Sequence, residues 1–213
     1  MPRWFTEHPA EHSAAYAARF RRLSAEGADL DGEARMIDTL VARGSRILDA
    51  GCGGGRTGAA LHRRGHYVIG VDIDAELVDA ARADYAGPSW VVADLAGVTL
   101  AGLGSVDQPF DAVVLAGNVL VFLAPGTEGD VLQRLASVVR PDGVVVTGFA
   151  TGRHYALSAF DADCAAAGLL LEHRFATWDL RPWHEDASWA VSVLRAGPQA
   201  GSFARHSSPA RNP

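Results

Sequence analysis

Short apolar runs alternate with amphipathic ones along much of this chain. From residue 46 onward, Arg46-Ile47-Leu48-Asp49-Ala50, Tyr67-Val68-Ile69-Gly70-Val71, Trp90-Val91-Val92-Ala93, residues 110–115 and residues 143–149 are brief and rich in Val and Ile. Such runs predict strands buried on both faces. Between them, residues 57–64, 75–84 and 128–139 read as helices. Gly65 stands where a helix commonly ends in a left-handed residue. Alternation at this spacing predicts a parallel sheet with helices on both faces, an α/β Rossmann-like fold.

The two ends of the chain read differently. The first forty residues are helical in character, with one run over 14–20 and another over 33–42 that places Met36, Ile37, Leu40 and Val41 on one face. Gly27 and residues 29–32 separate them. Past residue 150 come a helix at 158–167, an extended stretch at 169–178 and an alternating run at 187–195. Two consecutive strands without a helix between them predict an antiparallel pair at the sheet's end. The organisation expected is helices over 1–43 that help cover a pocket, a core over 44–196, and a disordered tail over 197–213, where apolar residues nearly vanish.

Composition narrows the partners. The 213 residues are 48% hydrophobic and 21% charged, as in an ordinary globular domain, with a net charge of −6. An acidic chain is a poor match for nucleic acid. Arg19, Arg21 and Arg22 form its only basic cluster and read as a solvated helix face. No apolar run approaches the roughly 18 residues that cross a bilayer. Two cysteines, Cys52 and Cys164, lack metal-pair spacing and fit a reducing cytoplasm. The histidines show no zinc-ligand spacing with a third partner, so no metal is expected. The oligomeric state is not legible in the sequence.

The chemistry concentrates at Asp49-Ala50-Gly51-Cys52-Gly53-Gly54-Gly55, where the first strand turns into a helix. Glycines there permit a tight turn and close approach of backbone to a ligand. Residues 53–58 also satisfy the dinucleotide pattern G-x-G-x-x-G. Charge separates the two readings. A pyrophosphate would meet repulsion from Asp49, whereas S-adenosylmethionine carries a sulfonium and an ammonium and no phosphate. Opposite charges about 4 Å apart attract by about 4 kcal/mol at an effective dielectric near 20, before desolvation. Asp72, ending the second strand, is placed for ribose hydroxyls, and Ile73 for one adenine face. Asp94, after the third strand, is placed for the adenine amino group, with the Leu95 amide donating to the ring.

These residues resemble the class I S-adenosylmethionine-dependent methyltransferases. The likeness runs from Arg46 to about Phe149 and includes Gly70-Val71-Asp72-Ile73-Asp74, Ala93-Asp94-Leu95 and Arg140-Pro141-Asp142-Gly143. It implies a seven-stranded, mostly parallel sheet with an antiparallel terminal strand. It also implies that S-adenosylmethionine is bound and S-adenosylhomocysteine released. Asp49, Ala50, Gly51, Gly53 and Gly55 would form the cofactor turn, and Gly117 and Asn118 would lie beside the methyl group. Arg140 to Gly143 reads as a structural turn. The expected activity is methyl transfer to a small molecule. The alternatives are a non-catalytic binding protein of the same fold and an NAD(P)-dependent oxidoreductase.

Substrate-facing candidates are scattered. His8, His12 and Tyr16 lie four apart and would share a helix face, which either lines the pocket or is ordinary surface. His154 and Tyr155 follow the fifth strand at the ligand edge. Trp178, Arg181 and Trp183 form an aromatic and basic loop that either lids a substrate or packs on the sheet. Asn118, His12, Tyr16 and His154 are the candidates for a catalytic role. The acceptor atom, whether O, N, S or C, leaves no mark on the sequence.

Overall fold

The computed structural model describes residues 1–9, 11–104 and 108–197. Its helices are α1 (Arg3–Glu7), α2 (His12–Ala25), α3 (Gly32–Leu40), α4 (Arg56–Arg63), α5 (Ala75–Asp84), α6 (Glu128–Val138) and α7 (Leu157–Ala166). Its strands are β1 (Arg46–Ala50), β2 (Tyr67–Asp72), β3 (Ser89–Val92), β4 (Phe110–Leu115), β5 (Val139–Ala150), β6 (Leu169–Phe175) and β7 (Trp189–Ala196). They form one seven-stranded sheet in the order β3-β2-β1-β4-β5-β7-β6. β1 to β5 pair in parallel, and β7 runs antiparallel to both β5 and β6. The Rossmann-like α/β architecture and its antiparallel end match the sequence expectation.

Alternation along each strand divides the core. Leu48 and Ala50 of β1, Val113 and Leu115 of β4, and Val145 of β5 face α6 and α7, where Leu132, Leu135 and Phe160 are fully buried. Ile47, Ala112, Val114, Val144 and Val146 face the other way, onto Ile37 of α3 and Leu61 of α4. A third cluster joins Val78 and Ala81 of α5 to Trp90 of β3. The Trp90 ring lies over Gly70: a Cβ there would come within 2.3 Å of it.

Several boundaries differ from the sequence reading. The N-terminal helical region is three helices, interrupted at His8, which has left α1, and at Gly27 (φ 79°). β5 begins at Val139 and takes in Arg140 to Gly143, expected as a turn. Turn chemistry survives there as an irregularity: Phe110 pairs with Val139 and Ala112 with Val144, and Asp142 adopts φ 60°. β6 ends at Phe175, and the chain doubles back through Leu180 (φ 65°) so that Phe175 bridges Pro182. Short 3-10 turns at Leu95–Gly97 and Val119–Phe122, unforeseen in the sequence, follow β3 and β4. The tail expected to be disordered lies outside the described residues from 198 onward.

Candidate functional site

The carboxyl ends of β1 to β5 meet the start of antiparallel β7 at one edge of the sheet, where open α/β sheets bind ligands. A cavity of about 520 Å³ opens there. Its floor holds Gly51, Gly53, Asp72, Ile73, Asp94, Leu95, Gly117 and Asn118, and its roof holds Trp4, Tyr16 and Phe20 from α1 and α2. A smaller concavity shares Tyr16, Gly51, Gly53 and Gly117 with it and reaches Asp49 and Arg56.

The glycine turn is closed on itself. Gly51 (φ 80°) and Cys52 donate their amides to the Val71 carbonyl at 2.7 and 2.9 Å. The Gly53 amide donates to Asp72 Oδ2 at 2.8 Å, Gly55 to the Cys52 carbonyl at 2.9 Å, and Gly58 to Asp49 Oδ2 at 2.8 Å. A phosphate-binding turn needs such amides free for the anion, so four of the glycines in this turn, together with Cys52, are spent internally. That arrangement disfavours a dinucleotide. Gly51 must stay bare, since a Cβ would stand 2.5 Å from the Val119 side chain.

The three carboxylates differ in setting. Asp49 is buried, and its Oδ1 has no hydrogen-bond partner among the described residues. Burial pushes its carboxyl up to about 7, against the opposing pull of the Gly58 amide and Arg56. Arg56 is itself engaged by Glu33 at 2.6 and 2.8 Å. Asp72 accepts from the Gly53 and Asp74 amides, one on each oxygen, which fixes its plane. Burial raises its carboxyl as well. Each oxygen keeps a second lone pair for a ligand hydroxyl. Asp94 is exposed and caps its 3-10 turn through the Ala96 amide at 3.0 Å.

Arg19 and Arg21, expected on a solvated helix face, also line the main and the smaller concavity respectively. Buried orphaned Asp49 Oδ1, an oriented Asp72 and an exposed Asp94 fit a cationic nucleoside. Comparison with known proteins gives the same answer. A family profile described as "Methyltransferase domain" matches residues 47–143. The solved structure of a TehB-like SAM-dependent methyltransferase from Corynebacterium glutamicum is 40% identical and superposes with a TM-score of 0.80, covering 87% of this chain and 98% of that one. The chain belongs to the S-adenosylmethionine-dependent methyltransferases. S-adenosylmethionine is the cofactor of this family, and the residues present fit it. An uncharacterised methyltransferase of Mycobacterium tuberculosis is 36% identical over 113 residues, 52% of this chain and 53% of the relative. A tRNA 5-carboxymethoxyuridine methyltransferase of Escherichia coli is 34% identical over 119 residues, 55% of this chain and 43% of the relative. The chain thus spans about half the length of the curated relatives it matches.

Within this methyltransferase the residues expected at the site divide into two groups. Tyr16 and the floor residues named above line the main cavity, and Asp49 lines the smaller one. Burial pushes the Tyr16 phenol up. Ala50 and Gly55 do not line either: Ala50 is fully buried, and a Cβ on Gly55 would strike Ala81 and Trp90. His12 stacks on His8 at 4.0 Å, lies 4.9 Å from the Trp4 ring and does not line the cavity. Burial, then His8, holds its imidazole below the usual range. His154 sits 3.1 Å from Glu7 Oε1. The Tyr155 hydroxyl donates to Asp163 at 2.6 Å, and its ring packs in the core beside Phe149 and Phe160. Trp178 lies over Gly148 of β5, Arg181 meets Asp179 on the surface, and Arg174 stacks on Trp183. That loop packs on the sheet and does not reach the cavity. Asn118 lines the cavity while its Oδ1 accepts from the Ala150 amide at 2.9 Å, tying the loop after β4 to the end of β5. Cys52, within the turn, is buried, and burial pushes its thiol well up, which disfavours the thiolate.

Sequence reasoning missed several participants, among them Trp4, Phe20, Phe122 and Trp189, which line the cavity, and Asp74 beneath the roof. Phe122 closes the apolar run Val119-Leu120-Val121-Phe122 directly after Gly117 and Asn118, a signal available in the sequence. Trp4 and Asp74 are 70 residues apart and carry no local signal.

Proposed function

We propose that this chain transfers the methyl group of S-adenosylmethionine to a small, largely apolar molecule. The observation that carries this reading is the division of the cavity. Toward β2 and β3 it presents Asp72, Asp94 and Ile73; toward β4, β5 and β7 it presents Val119, Phe122, Leu123, Ala124 and Trp189, with Asn118 and Thr127 as the polar groups. The acidic half suits the nucleoside, and the neutral half suits an acceptor with little charge. S-adenosylmethionine, when bound, supplies a methyl group activated by a sulfonium. The chain's part is to align and to exclude water: Asp72 and Asp94 hold the nucleoside end, and Asn118, fixed through Ala150, orients what lies beside it. A roof of Trp4, Tyr16 and Phe20, with Arg19 beside them, suits a compact acceptor, and the chain's net charge of −6 disfavours a nucleic-acid backbone.

Calorimetry with S-adenosylmethionine and S-adenosylhomocysteine tests the cofactor half. Micromolar binding is expected, and Asp72→Ala should weaken it at least tenfold, a loss of about 1.4 kcal/mol or more. No heat with either compound would refute it. Methyl transfer from labelled S-adenosylmethionine, compared between a panel of apolar phenols, thiols and amines and bulk tRNA, tests the acceptor. Turnover confined to tRNA, or tight binding with no turnover on any acceptor, would overturn the small-molecule assignment.

A further inference from the structure

One buried carboxylate ties both roof helices to the floor. Asp74, the N-cap of α5, uses Oδ1 to accept from the Glu76 and Leu77 amides at 3.0 and 3.3 Å. Its Oδ2 accepts from Trp4 Nε1 at 2.7 Å and from the Ser13 hydroxyl. One oxygen therefore binds both roof helices, α1 through Trp4 and α2 through Ser13. The Asp74 amide donates to Asp72 Oδ1, and Asp72 Oδ2 receives the Gly53 amide. A continuous hydrogen-bonded chain thus runs from the glycine turn through Asp72 to the roof.

Trp4 also meets the turn after β4. Its ring packs edge-on against Phe122 at 5.6 Å, and the neighbouring Arg3 amide donates to the Leu123 carbonyl at 3.3 Å. Other ties fasten one helix each, among them Arg3 to Glu128 at 3.2 Å, Glu7 to His154 at 3.1 Å, and Arg21 to Asp84 at 2.7 Å. The last two are exposed enough for water to compete with them. Asp74 is 4% exposed, and the side chains that donate to it, Trp4 and Ser13, are neutral and not cations. Charge-assisted bonds to neutral donors are strong while dry, yet a carboxylate that opens to water is rehydrated at once. Such a contact closes firmly and still releases. Gly27, left-handed and with open space where a Cβ would stand, lies just past the end of α2 and can absorb the movement.

We propose that Asp74 is a latch: its bonds to Trp4 and Ser13 hold the roof shut over the cavity, and their rupture is the step that admits and releases ligand. The assignment of ligand rests on the reading of this cavity as the S-adenosylmethionine site. Asp74 is a positioning residue, acting through the roof.

The test uses Asp74→Asn and Trp4→Phe in the full chain. Asparagine can still cap α5 with its oxygen but turns an amide donor toward Trp4 and Ser13; phenylalanine keeps an aromatic ring and loses the indole donor. Stopped-flow fluorescence with S-adenosylhomocysteine as the probe should show association and dissociation both faster, by about tenfold. Unchanged exchange rates in both variants, or a faster dissociation matched by an equal loss of affinity, would overturn the latch. Hydrogen exchange on the free protein separates this idea from the ligand assignment. Amides of α1 and α2 should exchange faster in both variants while those of α4 and β1 do not. If S-adenosylhomocysteine fails to bind even the unaltered chain, the ligand reading falls and the exchange result alone decides the latch: unchanged protection over residues 3–25 in Trp4→Phe would refute it.

Discussion

Asp49 shows how one side chain joins stability to binding. Its carboxyl, raised by burial to about 7, keeps its proton in the folded state over a range where the unfolded chain, with an ordinary value near 4, has lost it. The folded form then binds more protons than the unfolded form. Stability of the free protein should therefore be greatest at the acid end of the window from about pH 4 to 7 and decline as pH rises through it. Asp49→Asn should flatten that decline, visible in melting temperatures at pH 5 and pH 8. A cationic ligand favours the ionised form, so affinity for S-adenosylmethionine should increase as pH climbs through about 7 and level off above it. A pH-independent affinity in the unaltered protein would contradict this. At this scale the sequence was informative where function is local: a carboxylate two positions before a glycine turn is visible at once. It was silent on Asp74, whose partners Trp4 and Ser13 lie 70 and 61 positions away. It also misplaced Tyr155, since a tyrosine after a strand looks the same whether it faces a pocket or, as here, Asp163 and the core.

Among the elements, β2, β3 and α5 form a unit organised around Trp90. The indole donates to the Tyr85 carbonyl at 3.1 Å and fills the space left by Gly55, Gly58 and Gly70. Two of those glycines belong to the G-x-G-x-x-G pattern, which explains how that pattern arises without a dinucleotide: small residues there admit an aromatic ring between β2 and the turn. Gly70→Ala should cost on the order of 1–3 kcal/mol by overpacking. Pairing it with Trp90→Leu should recover part of that loss in a double-mutant cycle by denaturant unfolding. Strict additivity of the two would show that the ring and the glycine do not share this space. Strands were legible because Val-rich runs buried on both faces have few other uses. The start of β5 was not, because Arg140-Pro141-Asp142-Gly143 has the composition of a turn and only its pairing with β4 makes it strand. The helix break at His8 was hidden for a similar reason, since His8 and His12 stack although His8 lies outside both α1 and α2.

Over the whole molecule, topology supplies what periodicity lacks. Two consecutive strands at the end of the chain announced an antiparallel pair, but nothing in their residues told which would lie inside. It is the later one: β7 sits between β5 and β6, with Val191 and Val193 fully buried, and β6 pairs with β7 alone among the described strands. Synthesis from the N-terminus therefore delivers β6 to the ribosome's exit before the strand that must separate it from β5. Until residues 189–196 emerge, the facing hydrogen-bonding edges of β5 and β6 are open and free to pair wrongly with each other. Nascent chains arrested before residue 189 should be cut readily by protease after residue 139 and engage chaperones, whereas chains arrested well beyond residue 197 should resist. Native-like resistance in the shorter arrested chains would show that this sheet does not wait for its final strand.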